Sequence, residues 1–208
     1  MILHKQRLVY LHPTKTAGCA IEQALFEREM ILCGVEIPDK QQQIYEAGGL
    51  PLHQCTMYGV NDKISSSHWS LLEIHEAYPF TKGWGVVISV RCPYSRAISE
   101  FKYQRAGNGR VNHHWSPDDF EDAVVSGDLF RNGYPRHMRS QASYTPHGAP
   151  VKLLRYERLR DDFTSLFPNT RLQVVNQSGP VSIALTEKAK KSIRDVWGED
   201  FQRFGYPE

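Results

Sequence analysis

The stretch Leu8–Ile21, LVYLHPTKTAGCAI, constrains the chain most. Leu8-Val9-Tyr10-Leu11 is a short apolar run of strand formers, and Ala20, Ile21, Ala24 and Leu25 then recur at helical spacing. Between them lies a loop holding Thr14, Lys15, Thr16 and Gly18. A buried strand that feeds a helix through such a loop is a recurrent phosphate holder. The first N–H groups of the helix lack partners within it, and its dipole favours an anion there. Gly18 lets the backbone approach closely, and Lys15 adds a full positive charge. An ordinary strand-to-helix turn with a surface lysine fits this stretch alone equally well. The nucleoside-triphosphate P-loop does not fit, because it needs glycine, four residues, then Gly-Lys-Ser/Thr. Here the lysine precedes the glycine, and no apolar strand ends in an aspartate for magnesium, which argues against a kinase or ATPase.

The remaining punctuation predicts strands alternating with helices. A helix is expected from about Gly18 to Leu32, with Ile21, Ala24, Leu25, Ile31 and Leu32 on its core stripe. Residues 35–67 carry scattered Pro and Gly and predict a long irregular segment. Trp69–Tyr78 reads as a short helix with Ser67 as its cap. Gly85–Val90 is the clearest buried strand, and Pro93 then opens a helix whose core face is Tyr94, Ala97, Ile98 and Phe101. Ser116-Pro117-Asp118-Asp119 starts another helix, with Phe120 and Val124 inward and Gly127 at its end. Val151–Tyr156 reads as a third strand, followed by a helix carrying Leu159, Phe163 and Leu166. Thr186 caps the last helix, with Ala189, Ile193, Val196 and Trp197 expected to be buried. This alternation predicts one α/β domain over residues 1–208: three layers, a mainly parallel central sheet with helices on both faces. Ligands of such sheets bind at the carboxyl ends of the strands, which makes His12–Gly18 and Arg91–Arg96 expected neighbours.

Composition removes several function classes. The net charge of +2 gives no basic surface suited to nucleic acid. No apolar run approaches ~20 residues and the first residues lack a signal-peptide core, so the expectation is no membrane span and a cytoplasmic protein or a soluble catalytic domain. Cys19, Cys33, Cys55 and Cys92 are scattered without a CxxC and read as free thiols. The nine histidines show no metal-ligand spacing, so no metal is expected.

A second anion motif follows the clearest strand. Arg91 stands at its end, and Arg96 and Ser99 follow at i, i+3 on the next helix. Arginine can grip a phosphate through two parallel N–H bonds. Read alone, Arg91 could equally pair with a carboxylate and Ser99 face solvent. Two anion motifs at strand ends suggest one ligand with two anionic groups.

That pairing resembles the PAPS-dependent sulfotransferases, in particular the carbohydrate sulfotransferase branch. PAPS is 3′-phosphoadenosine 5′-phosphosulfate. The family opens with a strand and a loop like His-Ile-Pro-Lys-Thr-Gly-Gly-Thr-Ser, where this chain has His12-Pro13-Thr14-Lys15-Thr16-Ala17-Gly18-Cys19-Ala20. Its second motif, Val-Arg-Asp/Asn-Pro followed by Arg and Ser at three-residue intervals, is matched by Val90-Arg91-Cys92-Pro93 with Arg96 and Ser99. His68, His137 with Gln141, Leu153–Phe163, Asn176-Gln177-Ser178 and Asp200–Tyr206 resemble later family elements in the same order. Thr14 stands where the family has proline, Cys19-Ala20 where it has Thr-Ser, and Cys92 where it has Asp or Asn.

The resemblance implies a P-loop NTPase-like sulfotransferase fold and in-line transfer of a sulfuryl group from PAPS to a hydroxyl or amine, with PAP as product and no metal. It assigns Lys15 to the leaving phosphate. Thr16, Ala17, Gly18, Cys19 and Ala20 hold the 5′-phosphate, mainly by backbone N–H. Arg91 and Ser99 hold the 3′-phosphate. His68 is the expected general base, with His12 and His53 behind it. The acceptor is expected to be a carbohydrate or another small hydroxyl or amine compound. Lys102, Tyr103, Arg105, Arg110, His113, His114 and Trp115 form a basic, aromatic stretch suited to an acidic sugar or, equally, a solvated loop. The Cys19-Ala20 departure keeps a second reading open: a catalytically inactive PAP-, PAPS- or nucleotide-binding module.

Overall fold

In a computed structural model of the chain, residues 1–32, 68–108, 115–131, 138–173 and 182–208 are described. The alternating signals become an α/β fold. The strands are β1 (Ile2–Leu3), β2 (Leu8–Leu11), β3 (Gly85–Val90) and β4 (Lys152–Arg155). The helices are α1 (Gly18–Leu32), α2 (Leu71–Ala77), α3 (Pro93–Tyr103), α4 (Phe120–Val125), α5 (Leu159–Leu166) and α6 (Glu187–Phe204). The sheet order is β1-β2-β3-β4. β1 runs antiparallel to β2 with Ile2 opposite Val9, and β2 runs parallel to β3 with Leu8 opposite Gly85 and Leu11 opposite Ile88. β2 and β3 therefore end at the same sheet edge.

The chain divides into two compact units, Met1–Ser89 with Tyr144–Asn176, and Val90–Ser143 with Gln177–Glu208. The first is built on the sheet. Its core joins Tyr10 and Val87 from the strands to Ile21, Ala24 and Leu25 of α1 and to Phe163 of α5, all but closed to solvent. The second is helical. Ala97 and Phe101 of α3 meet Phe120 and Val124 of α4 and Ile193, Trp197 and Phe201 of α6.

Several expectations shift. Ile31 and Leu32 are 73% and 49% exposed rather than on the core stripe. The stripe continues instead through polar residues: Glu29 accepts from the Lys5 N–H and the Gln6 amide, and Arg28 Nε donates to Gln6 Oε1. Val196 is 47% exposed, beside the buried line of Ala189, Ile193, Trp197 and Phe201, which keeps its spacing of four although Trp197 has non-helical angles (φ −124°, ψ 29°). α2 starts at Leu71 under a capping box of Ser70 and Glu73; Ser67 lies outside the described residues. The two-residue β1 had no signal in the sequence. The segment 35–67, expected to be irregular, lies outside the described residues, as do Cys33 and Cys55, while Cys19 and Cys92 are in no disulfide. Among the described residues no helix is long and apolar enough to cross a membrane.

Candidate functional site

The loop from His12 to Ala17 hangs between a buried strand and a buried helix. Lys15 and Ala17 both adopt left-handed backbone angles, φ 63° and 67°, while Thr16 between them does not. Alternation of this kind turns successive N–H groups toward one concavity, an anion-binding nest. The first helical bond, Ile21 N–H to the Ala17 carbonyl at 3.2 Å, leaves Gly18 and Ala20 ahead of the helical ladder. Side chains alternate inward and outward: Lys15, Ala17 and Cys19 keep partial exposure, while Thr16, Gly18 and Ala20 are buried. What the loop can offer an anion is thus main-chain N–H, the helix end and the Lys15 ammonium.

Thr16 shows why the loop holds this shape. Its hydroxyl donates to the Pro13 carbonyl at 2.6 Å, so toward Ser89 Oγ, also at 2.6 Å, it can only accept. Ser89 must then donate to Thr16 and accept from the Tyr10 hydroxyl at 2.7 Å. The result is one ordered chain, Tyr10 to Ser89 to Thr16 to Pro13. Burial first, and the Glu22 charge second, push the Tyr10 pKa well above the usual tyrosine value, which keeps it a donor. The chain draws the Pro13 carbonyl inward, and it takes up the Thr16 hydroxyl.

Gly18 is required for space rather than for φ. An added Cβ would lie 1.7 Å from His12 Cδ2 and 1.8 Å from Nε2. The His12 imidazole, 6% exposed, therefore occupies the space beside Gly18 at the first turn of α1. Its Nδ1 is 3.3 Å from Glu22 Oε2, close enough for an ion pair but poorly aligned for a hydrogen bond. The His12 carbonyl accepts from His68 Nδ1 at 2.9 Å. A carbonyl oxygen only accepts, so Nδ1 carries a proton, and the ring nitrogen left to exchange one is Nε2. The two rings meet edge to face, with centroids 5.0 Å apart. His68, half-buried, is thus aimed by the loop itself rather than serving as the cap of α2.

The Arg91 turn is built differently. Its N–H donates to Gln141 Oε1 at 2.8 Å, and its carbonyl accepts from Gln141 Nε2 at 2.9 Å. Gln141 is in turn held by Asp200, which is fully buried. Asp200 accepts from Ser140 Oγ (2.6 Å), Gln141 N (2.9 Å), Gln141 Nε2 (3.1 Å) and Ala142 N (2.8 Å). Arg91 Nε donates to Ser95 Oγ at 2.9 Å, and Ser95 passes its own proton to the Cys92 carbonyl at 3.1 Å. Arg96 belongs to this scaffold. It is fully buried, its guanidinium lies 4.4 Å over the Trp197 ring, Nη1 is 3.7 Å from Asp200 Oδ2, and Nη2 donates to the Arg139 carbonyl. Ser99, on the same helix, is 7% exposed, so it does not simply face solvent.

Ser89, Glu22 and the hub role of Asp200 were missed in the sequence. Glu22 and Asp200 did carry a signal: each is an acid on the buried stripe of its helix, Asp200 three residues after Trp197 and one before Phe201. Ser89 was hidden inside an apolar strand run. In the basic, aromatic stretch, Trp115 is taken up in packing, its ring stacked on Phe101 at 5.3 Å. Arg110, His113 and His114 lie outside the described residues, as do His53, His137 and the Asn176-Gln177-Ser178 element. Among the described residues no group of three or more His, Cys, Asp or Glu is arranged to hold a metal ion. Comparison of the chain with family models, with curated proteins and with solved structures returned no match.

Proposed function

We propose that this chain is a PAPS-dependent sulfotransferase of the carbohydrate-sulfotransferase type, with the P-loop-like fold of that family, acting on a hydroxyl or amine of a carbohydrate or similar small acceptor. The observation that carries the reading is the left-handed pair Lys15 and Ala17, opening onto the buried start of α1. A backbone nest with one lysine suits a phosphate. In this reading Lys15, Thr16, Ala17, Gly18, Cys19 and Ala20 take the 5′ side of the nucleotide, the last five through main-chain N–H, while Arg91 and Ser99 take the 3′-phosphate.

Bound PAPS supplies the sulfuryl group and a phosphate leaving group. Lys15 stabilises the negative charge that grows on the phosphate side, where a fixed positive charge in a partly dry site is most effective. His68 Nε2 takes the acceptor proton, with Nδ1 committed to the His12 carbonyl. Alignment by the loop does the remainder, as in phosphoryl transfer.

One observation favours the second reading, a nucleotide-binding module without turnover. The Thr16 hydroxyl is spent on Pro13, and Cys19 and Ala20 bring no hydroxyl, so the phosphate meets main chain and Lys15 only. Melting curves with PAP beside ATP-magnesium test the ligand, since a ligand that binds the native state raises the midpoint. PAP should stabilise and ATP-magnesium should not; the reverse result overturns the proposal. Labelled-sulfate transfer from PAPS to a panel of sugars then separates the two readings.

A further inference from the structure

The Tyr10–Ser89–Thr16 chain has a direction, and its middle member sits on a neighbouring strand. We propose that Ser89 is a positioning residue for the anion loop, acting through Thr16 and never touching the ligand; this rests on the loop being the anion site. Three observations lead there. Ser89 and Thr16 are both 0% exposed, so neither hydroxyl can be satisfied by solvent. The Thr16 proton goes to Pro13, so Thr16 needs a donor, and Ser89 is that donor. The loop it braces holds two non-glycine residues in left-handed conformations, which persist only where surrounding contacts over-determine them. Ser89 also anchors the loop to the rigid β3 rather than to the loop itself. Without it Thr16 still donates to the Pro13 carbonyl, but the pair loses its tie to β3, and the Lys15–Ala17 backbone is free to relax from its left-handed angles.

The chain supplies its own control. Tyr10→Phe removes a buried hydroxyl from the same network but leaves Ser89 able to donate to Thr16. Ser89→Ala removes the donor itself. Both should lower the melting temperature. Only Ser89→Ala should weaken PAP binding in calorimetry, by about five- to tenfold as expected for one net hydrogen bond, with Tyr10→Phe within about twofold of the parent protein. The amide signals of Lys15–Gly18 should shift and exchange faster in Ser89→Ala, with or without PAP, and stay in place in Tyr10→Phe. If Ser89→Ala does not fold, Ser89→Cys keeps the volume and weakens the donor, and the same two readouts apply. Equal PAP affinities in the two variants, or loop amides unmoved by loss of Ser89, overturn the proposal. If the parent protein does not bind PAP, the ligand assignment fails, and the loop amides alone still decide whether Ser89 positions the loop.

Discussion

The turn from β2 to α1 runs from His12 to Ala17 and is held by neutral hydroxyls and a packed ring; the turn from β3 to α3 is only Arg91-Cys92 and is held by a buried carboxylate. The first stores strain at Lys15 and Ala17, while the second stores none, with Cys92 at φ −49° ahead of Pro93. A neutral hydrogen bond nets roughly 0.5–1.5 kcal/mol, whereas a buried charge left without partners costs several times that. The difference separates two kinds of damage. Injury to the buried Asp200 scaffold behind the Arg91 turn should appear mainly as lost stability. Injury to the Lys15 loop should appear mainly as lost binding or turnover in a protein that still folds.

The sharpest way to break this contrast is Asp200→Ala. It strands the buried Arg96 and four donors, and should cost about 3–5 kcal/mol in urea unfolding, with Asp200→Asn recovering part of it. A loss under about 1 kcal/mol would mean that the carboxylate does not hold the turn. Next in size is Lys15→Ala. It should lower kcat by about 10²–10³-fold with little change in melting temperature, as for removal of one transition-state charge donor. Arg91→Ala should instead raise the Kd for PAP, since its target group does not react. Equal kcat losses for the two would erase the division of roles between these two side chains.

Gly18→Ala comes third. The ring of His12 must move, and overpacking of this kind costs about 1–3 kcal/mol. Gly198→Ala is the matched control in α6, where an added Cβ meets nothing within 4 Å; it should be neutral or stabilising by up to about 1 kcal/mol. The smallest effect is Ala17→Gly. Relief of a left-handed alanine should stabilise the protein by about 0.5–1 kcal/mol in thermal melts, while glycine in place of Cys92, where φ is ordinary, should not stabilise it. If Ala17→Gly does not stabilise the protein, the strain attributed to the first turn is absent.

Much of the architecture was legible because it rests on periodicity and punctuation. β3 with its mostly apolar run, α3 with Pro93 at its first position, α1 opening at Gly18, and Gly127 with its left-handed φ of 81° all follow local rules. The failures came where a distant contact decided. Ile31 lost its place on the stripe to Glu29, a charged residue that the Lys5–Gln6 segment makes buriable. The left-handed Lys15 and Ala17 were invisible, since such angles are read from glycine and neither is one. At the candidate site, the residues proposed to face a ligand were named from the sequence, while those that hold them were not. Lys15, His68 and Arg91 carry chemistry in their side chains; Ser89, Glu22 and Asp200 matter through where the fold puts them.

The contact between the His12 ring and Gly18 makes those two positions a single steric unit. The ring fills the volume that any side chain at position 18 would claim, and it lies 1.7 Å from a Cβ there. Either position can therefore change cheaply only in company with the other. Truncating His12 to alanine empties that volume, so Gly18→Ala should cost less in the truncated background than in the parent chain, and the two penalties should be sub-additive as expected for residues in contact. A variant library of this loop that samples one position at a time would score both as intolerant and would miss the smaller pairs that fit.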